Sequence, residues 1–149
     1  MKTPATLSFS GLLCGALLGG CSGKATDDSS NLDLWCETSD DANTDYSEEG
    51  GGSVSSGKIV GRLINIAADD LHDSNVIGGM DYTLTPVGSG GGSTAGETDS
   101  YGEFYNTVGE GTWLFESGGR KGGYTCASSY EFEVVAGRTT YLCLDAGCE

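Results

Sequence analysis

The stretch that decides the fold of this chain is Tyr130-Glu131-Phe132-Glu133-Val134-Val135-Ala136-Gly137-Arg138-Thr139-Thr140-Tyr141-Leu142-Cys143-Leu144. In its first half, apolar side chains alternate with the carboxylates of Glu131 and Glu133, a period of two that is typical of a strand with one buried face. Gly137 stands where a turn favours a positive φ. The second half is rich in β-branched and aromatic residues, so the stretch predicts two strands joined as a hairpin.

Short runs of the same character recur through residues 57–149, separated by Gly, Asp and Asn. No window keeps the apolar period of a helix. The runs predict seven strands, over residues 58–66, 80–86, 93–98, 104–107, 112–116, 130–135 and 139–144. Seven short strands in a segment of this length predict an all-β fold, a small sandwich of two sheets.

Six short motifs in this segment follow one another in the order found in a known family. They are Gly57-Lys58-Ile59-Val60-Gly61-Arg62-Leu63, Tyr82-Thr83-Leu84-Thr85-Pro86, Thr98-Asp99-Ser100-Tyr101-Gly102-Glu103-Phe104, Gly109-Glu110-Gly111-Thr112-Trp113-Leu114, Gly123-Tyr124 and Val134-Val135-Ala136-Gly137-Arg138-Thr139-Thr140. Together they resemble carboxypeptidase regulatory-like domains, which are transthyretin-like Greek-key β-sandwiches of bacterial surface proteins. The resemblance implies an accessory domain without zinc-peptidase ligands, and it leaves the function open.

The N-terminus carries a second resemblance. Lys2 precedes the apolar run Gly11–Leu18, which is too short to cross a bilayer but has the length of a signal-peptide core. The run ends in Leu18-Gly19-Gly20-Cys21, which resembles the lipobox of bacterial lipoproteins. The resemblance implies a signal peptide over residues 1–20, cleavage before Cys21 and acylation, including palmitate, at Cys21. An ordinary signal peptide with an incidental cysteine is the alternative.

Residues 21–56 have the composition of a tether. Acidic side chains are interspersed with Ser, Thr, Asn and Gly, so we expect a lipidated, acidic, disordered spacer between the membrane and a folded domain at 57–149. Leu32-Asp33-Leu34-Trp35-Cys36 is the exception, because its Trp and Cys favour a local anchor onto the domain. The predicted location is the cell envelope, in the outer membrane or at the cell surface.

The charge balance excludes one class of partner. The chain has 22 acidic and seven basic residues, a formal net charge of −15, and loss of Lys2 with the signal would leave −16. Such a surface repels phosphates, so we expect no nucleic-acid partner and no attraction to anionic lipid. Attachment to the membrane would then depend on the lipid at Cys21.

Four cysteines remain after Cys14 and Cys21 are set aside: Cys36, Cys126, Cys143 and Cys148. In an exported protein they favour two disulfides over a zinc site. A hairpin centred on Ala136-Gly137 would bring Cys126 nearest to Cys148 and leave Cys36 to pair with Cys143. The pairing Cys126–Cys143 with Cys36–Cys148 is nearly as well supported.

The sequence predicts no catalytic residues, no metal site and no cofactor. His72 is the single histidine, in an acidic loop, and the Gly88–Gly92 run lies between strands and lacks the helix of a phosphate site. Asp41, Asn43 and Asp45 have the spacing of calcium ligands, but Tyr46 replaces the required glycine and Gly52 the bidentate glutamate.

We therefore expect a non-enzymatic, membrane-anchored surface lipoprotein whose sandwich is a structural or protein-interaction module. The alternative is a module that binds a glycan or cell-wall polymer through aromatics beside the Gly88–Gly92 loop. Its candidate residues are Tyr101, Tyr105, Trp113, Tyr124, Tyr130 and Tyr141, which would otherwise be core. A hydrolase that uses His72 comes third.

Overall fold

The computed structural model describes residues 36, 43–65, 76–88 and 91–149. The strands are β1 (Thr44–Glu49), β2 (Ser56–Ile64), β3 (Asp81–Pro86), β4 (Thr94–Glu97), β5 (Glu103–Gly109), β6 (Gly111–Lys121), β7 (Tyr124–Val134) and β8 (Arg138–Asp145). They form sheet A, with the order β1-β8-β2-β5, and sheet B, with the order β4-β3-β6-β7. The prediction of an all-β sandwich is confirmed, with eight strands instead of seven.

The additional strand, β1, lies inside the segment predicted to be a disordered tether. It pairs antiparallel with β8, from Thr44 opposite Cys143 to Glu49 opposite Arg138. Its polar sequence has no apolar alternation, so its local pattern gave no signal for a strand. Backbone pairing orders it, together with Arg138, which donates to the hydroxyl of Ser47 at 3.1 Å and to its carbonyl at 2.9 Å.

The predicted hairpin at 130–144 is wrong, because β7 and β8 belong to different sheets. The turn itself forms: the Arg138 amide donates to the Val135 carbonyl at 3.2 Å, and Gly137 has a φ of 75°. After the turn, β8 inserts between β1 and β2 and runs parallel to β2. An alternating strand has the same side-chain pattern in a hairpin and in a crossover, so the sequence could not separate the two.

Three aromatic rings join the sheets at the centre of the core. Phe104 of sheet A lies 4.9 Å from Phe115 and 4.9 Å from Tyr82, both of sheet B, measured between ring centroids. Phe104 is paired with Gly61 on β2, and a Cβ built at Gly61 would come within 2.1 Å of the Phe104 ring. The missing side chain of Gly61 therefore provides the space in which the ring lies.

The β6–β7 hairpin is longer than predicted. Each strand has 11 residues, and the second half of β6, with Gly118 and Gly119, pairs with the largely polar first half of β7 up to a turn at Gly122 and Gly123. The φ angles of these two glycines, 58° and 97°, match the positive pair of a type I′ turn. The C-terminus runs beside the start of β7, where Thr125 and Glu149 exchange two backbone hydrogen bonds of 2.9 Å.

The motif at residues 98–104 forms the turn between β4 and β5. The carboxylate of Asp99 accepts hydrogen bonds from the amides of Tyr101 at 2.8 Å and Glu103 at 2.9 Å. Gly102 has a φ of 73°, and its carbonyl accepts from the amide of Leu63 on β2. The aspartate and the glycine of this motif are therefore explained by the local backbone.

Gly61→Ala should destabilise the fold, because its methyl group would overlap the Phe104 ring. Overpacking of this kind costs typically about 1–3 kcal/mol. Urea unfolding followed by circular dichroism measures the loss. Gly92→Ala is the matched control, since a Cβ there meets nothing within 4 Å. Equal stability of the two variants would show that the contact at Gly61 is not a constraint.

Candidate functional site

Several predicted site residues lie outside the described part of the chain: the lipidation residue Cys21, the loop histidine His72 and the first calcium-like position, Asp41. The structure thus leaves lipidation at Cys21 a prediction. Among the described residues, no helix has the length and apolar character needed to cross a membrane.

The structure joins both cysteine pairs that the sequence analysis preferred. Cys126 is bonded to Cys148, with 4.0 Å between their Cα atoms, and Cys36 to Cys143, with 5.3 Å. The reason differs from the expected one, because β7 and β8 do not form the hairpin from which the pairing was inferred. Instead, the C-terminal residues that follow β8 lie beside the start of β7, where Cys148 forms an isolated antiparallel bridge to Cys126.

The second disulfide covers the outer face of sheet A. Cys36 is buried in a cluster with residues of β2 and β8 that is separate from the core between the sheets; this outer cluster comprises Cys36, Val60, Ile64, Tyr141 and Cys143, with Val76 at its margin. Val60 is fully buried although it lies on the outer face. The expectation of an anchor at Cys36 is met at this residue, which attaches the chain to a central strand.

A buried ion pair lies beside the outer cluster. The Arg62 guanidinium on β2 donates to the Glu103 carboxylate on β5 at 2.5 Å, and both side chains are almost completely buried. The hydroxyl of Tyr105 donates to the same carboxylate. Sequence analysis missed this network, although a single arginine in the otherwise apolar end of β2 was a signal. The arrangement fits a structural role, because each charge has its counterion and removal of one would leave the other buried and unpaired.

The two described residues of the calcium-like stretch serve the fold. The side-chain oxygen of Asn43, which has a φ of 59°, accepts from the Asp145 amide at 3.0 Å. The carboxylate of Asp45 accepts from the Tyr130 hydroxyl of sheet B at 2.8 Å. These bonds fix β1 to β8 and to β7. Among the residues with described positions, no group of three or more His, Cys, Asp or Glu side chains could hold a metal ion.

The candidate sugar-binding aromatics do not lie at the predicted place. Trp113 is paired with Pro86 at the start of the Gly88–Gly92 loop, but its ring is buried and its Nε1 donates to the Gly109 carbonyl at 2.9 Å. Tyr141 is buried in the outer cluster, and Tyr130 is half-buried. Among the described residues, the exposed rings are those of Tyr101 in the β4–β5 turn, Tyr105 on β5, Tyr124 at the tip of the β6–β7 hairpin and Tyr46 on β1.

The outer face of sheet B is acidic. Asp81 stands directly opposite Glu97, and Glu116 lies on the same face beside Thr83. A shallow cleft of about 350 Å³ opens there, lined by Asp81, Tyr82, Thr83, Glu116, Ser117 and Gly118. Neighbouring carboxylates repel one another, and together they repel anionic ligands. This surface therefore favours solubility over a specific site.

The two ends of the sandwich differ in character. At one end, Cys36 and Asn43 connect the N-terminal segment to the C-terminal end of β8. At the other, which we call the loop end, lie residues 50–55, 87–88, 91–93, 110 and 135–137. These residues are rich in glycine, they expose Val54, Val87 and Val135, and Glu110 is the charged residue among them. The loop end is thus nearly neutral in a strongly acidic chain.

Comparison of the chain with protein-family models, with curated proteins and with solved structures finds no match in any of the three. The lipobox and the carboxypeptidase regulatory-like motifs remain resemblances of sequence, and membership of either family stays a prediction.

The bond between Asp45 and Tyr130 should make stability depend on alkaline pH. Burial of Tyr130 and its bond to the carboxylate raise the pKa of its phenol to about 12, against about 10 in the unfolded chain. A raised folded-state pKa gives stabilisation that is complete below pH 10 and is lost as pH rises towards 12. Urea unfolding across this range measures the loss.

In Tyr130→Phe, the free energy of unfolding should be lower at neutral pH and should fall less steeply in alkali. Tyr124→Phe is the control, since that ring is exposed at the tip of the hairpin. The expectation fails if Tyr130→Phe loses as much stability as the native chain over the same pH range.

The disulfide pairing can be checked by non-reducing peptide mapping. Digestion with trypsin and Asp-N together separates the cysteines, because trypsin cleaves after Arg138, between Cys126 and Cys143, and Asp-N cleaves before Asp145, between Cys143 and Cys148. We expect the Cys36 peptide linked to the Cys143 peptide and the Cys126 peptide linked to residues 145–149. The exchanged linkages would contradict the structure.

Removal of the two disulfides should differ in cost. The Cys36–Cys143 pair spans 107 residues and the Cys126–Cys148 pair spans 22. In the loop-entropy model, these spans correspond to about 5 and about 3 kcal/mol. The double variant Cys36→Ser/Cys143→Ser should therefore unfold at a lower urea concentration than Cys126→Ser/Cys148→Ser, which is its matched control.

Proposed function

We propose that this protein is a membrane-anchored lipoprotein of the bacterial cell envelope. In this proposal Cys21 carries the lipid, and the β-sandwich is a non-catalytic module that serves in structure or protein interaction. The observation that carries the proposal is Leu18-Gly19-Gly20-Cys21 after a short apolar run, followed by a domain that attaches to its N-terminal segment through Cys36. Two or more acyl chains at one cysteine hold a protein stably without a transmembrane helix.

The use of the polar side chains in the described part of the chain supports a non-catalytic role. Arg62 is held by Glu103, Asp45 by Tyr130 and Asn43 by the backbone of β8. Each of these groups would be a candidate for ligand binding or proton transfer if it were available. These side chains instead form bonds that hold the strands together, as expected of residues with a structural role.

The direction of attachment supports presentation of the loop end. The N-terminal segment joins the domain at Cys36 and Asn43, beside the C-terminal end of β8. The loops at 50–55 and 135–137 lie at the opposite end and are tied together by hydrogen bonds between Gly50, Ser56 and Gly137. An anchor at Cys21 would therefore hold the nearly neutral loop end away from the membrane.

The alternative, a glycan or cell-wall polymer module, depended on aromatic rings beside the Gly88–Gly92 loop. Trp113 is the aromatic residue paired with the strand end at this loop, and its ring belongs to the core. A stacking platform needs exposed rings. The interaction module is therefore the better-supported proposal.

Lipidation can be tested by expressing the full chain in a bacterium with labelled palmitate. The native protein should incorporate the label and partition into detergent, because acyl chains dominate its membrane affinity. Cys21→Ser should lose both properties. Cys14→Ser is the matched control, since Cys14 leaves with the signal peptide and the variant should be labelled normally. Persistent labelling and membrane retention of Cys21→Ser would overturn the anchor.

A further inference from the structure

The two disulfides differ in how far solvent reaches them. Cys36 and Cys143 are 4% and 1% exposed, and both belong to the outer cluster on sheet A. Cys126 is 2% exposed, whereas its partner Cys148 is only partly buried. Of the four bonded cysteines, Cys148 is therefore the one at which a small molecule in solution can reach a disulfide of the folded protein.

Residues 147–149, which we call the strap, are held on the edge of β7 by few contacts. The Thr125 amide donates to the Glu149 carbonyl and the Glu149 amide to the Thr125 carbonyl, both at 2.9 Å, and the Ala127 amide donates to the Gly147 carbonyl at 3.4 Å. Side chains add little, because Gly147 has none and Glu149 is exposed. Apart from its disulfide, the strap thus depends on edge hydrogen bonds that water can replace.

The strap can move while β8 stays in place. Ala146, which precedes the strap, is buried, and its amide donates to the Ile64 carbonyl of β2 at 2.7 Å. Gly147 follows with a φ of 53°, and a glycine can change its backbone conformation at little cost. Gly147 is therefore the hinge, and the chain up to Ala146 keeps its contacts when the strap is released.

We propose that Cys126–Cys148 is a thiol–disulfide exchange site, which a dithiol opens in the folded protein while Cys36–Cys143 stays oxidised. A thiolate of the dithiol attacks the sulfur of Cys148, and Cys126 leaves as a thiolate that takes up a proton. The second thiol of the reagent attacks the mixed disulfide, releases Cys148 as a thiol and closes the oxidised, cyclic dithiol. Two electrons and two protons pass from the dithiol to the two cysteines.

The charge around the site selects among reductants. Asp145 and Glu149 stand close to Cys148 in sequence, in a chain with a formal net charge of −15. Carboxylates repel an anionic thiol. An uncharged dithiol therefore reaches Cys148 more readily than a thiol that carries carboxylates of its own.

Reduction changes what the edge of β7 presents. In the oxidised protein the strap occupies the backbone groups of Thr125 and Ala127, and in the reduced protein these groups are open. An uncovered edge strand is prone to pair with other chains. The bridge is thus a redox-sensitive clasp that protects this part of β7, and its action does not depend on a lipid at Cys21.

The test uses the full chain with Cys14→Ser and Cys21→Ser, so that the four bonded cysteines are the ones that remain. The oxidised protein is treated with dithiothreitol without denaturant, free thiols are alkylated at intervals, and peptide mapping with trypsin and Asp-N locates them. We expect an intermediate alkylated at Cys126 and Cys148 alone, which forms at least about tenfold faster than the fully reduced protein.

Hydrogen exchange of this intermediate reports on the strap. The amides of Thr125 and Ala127 should exchange faster than in the oxidised protein, whereas the amides of β8 should keep their protection. Cys126→Ser/Cys148→Ser is the reference, because it lacks the bridge under all conditions and should show the same pattern.

Cys36→Ser/Cys143→Ser is the control that separates local opening of the strap from unfolding of the whole domain. If the strap opens by itself, Cys126–Cys148 is reduced at a rate within about twofold of the native rate. If reduction required unfolding, loss of the long-range disulfide would speed it by about a thousandfold. Should this variant not fold, the urea dependence of the native rate decides, because local opening exposes little surface and gives a rate nearly independent of urea.

Four results would overturn the proposal. They are simultaneous reduction of both disulfides, earlier reduction of Cys36–Cys143, a rate for Cys126–Cys148 that follows global unfolding, and unchanged protection of Thr125 and Ala127 in the reduced intermediate. The first three would show that solvent does not reach the bridge in the folded protein, and the fourth would show that the strap stays in place without it.

Discussion

The contact between Phe104 and Gly61 is the constraint on which the rest of the sandwich depends. The Phe104 ring fills the space that Gly61 leaves on β2 and contacts Phe115 and Tyr82 of the opposite sheet. Because one ring contacts both sheets, it fixes the alignment of β2 and β5 with β3 and β6. The packing of the core therefore depends on the absence of a side chain at Gly61 as much as on the aromatic residues.

A second set of contacts acts on the outer face of sheet A, which a simple sandwich would expose to water. Cys36 covers Val60 and Tyr141, and the Arg62–Glu103 pair fills the adjoining position. This face therefore behaves as a small second core. Its consequence for function is that the chain attaches to the domain at β8, a strand with neighbours on both sides, so the attachment is firmer than pairing of the edge strand β1 alone would give.

Charge divides the surface into regions with different uses. The outer face of sheet B and the edge strands β1, β4 and β7 carry carboxylates, which keep other acidic molecules at a distance. The loop end lacks this protection. In a chain this acidic, electrostatic repulsion of another acidic molecule is weakest at a neutral region of the surface. The proposed presentation of the loop end depends on this contrast.

The sequence by itself determined the all-β class, seven of the eight strands, the glycine turns and the even set of four cysteines. These features depend on period-two alternation and on backbone preferences, which act within a few residues. Tertiary structure alone decided that β8 crosses to sheet A, that polar β1 becomes a strand and that Arg62 finds Glu103. Each of these depends on a partner distant in sequence, and the side chains of β1 and β8 are compatible with more than one neighbour. Local pattern shows that a strand forms, whereas packing of the whole chain selects the strand beside it.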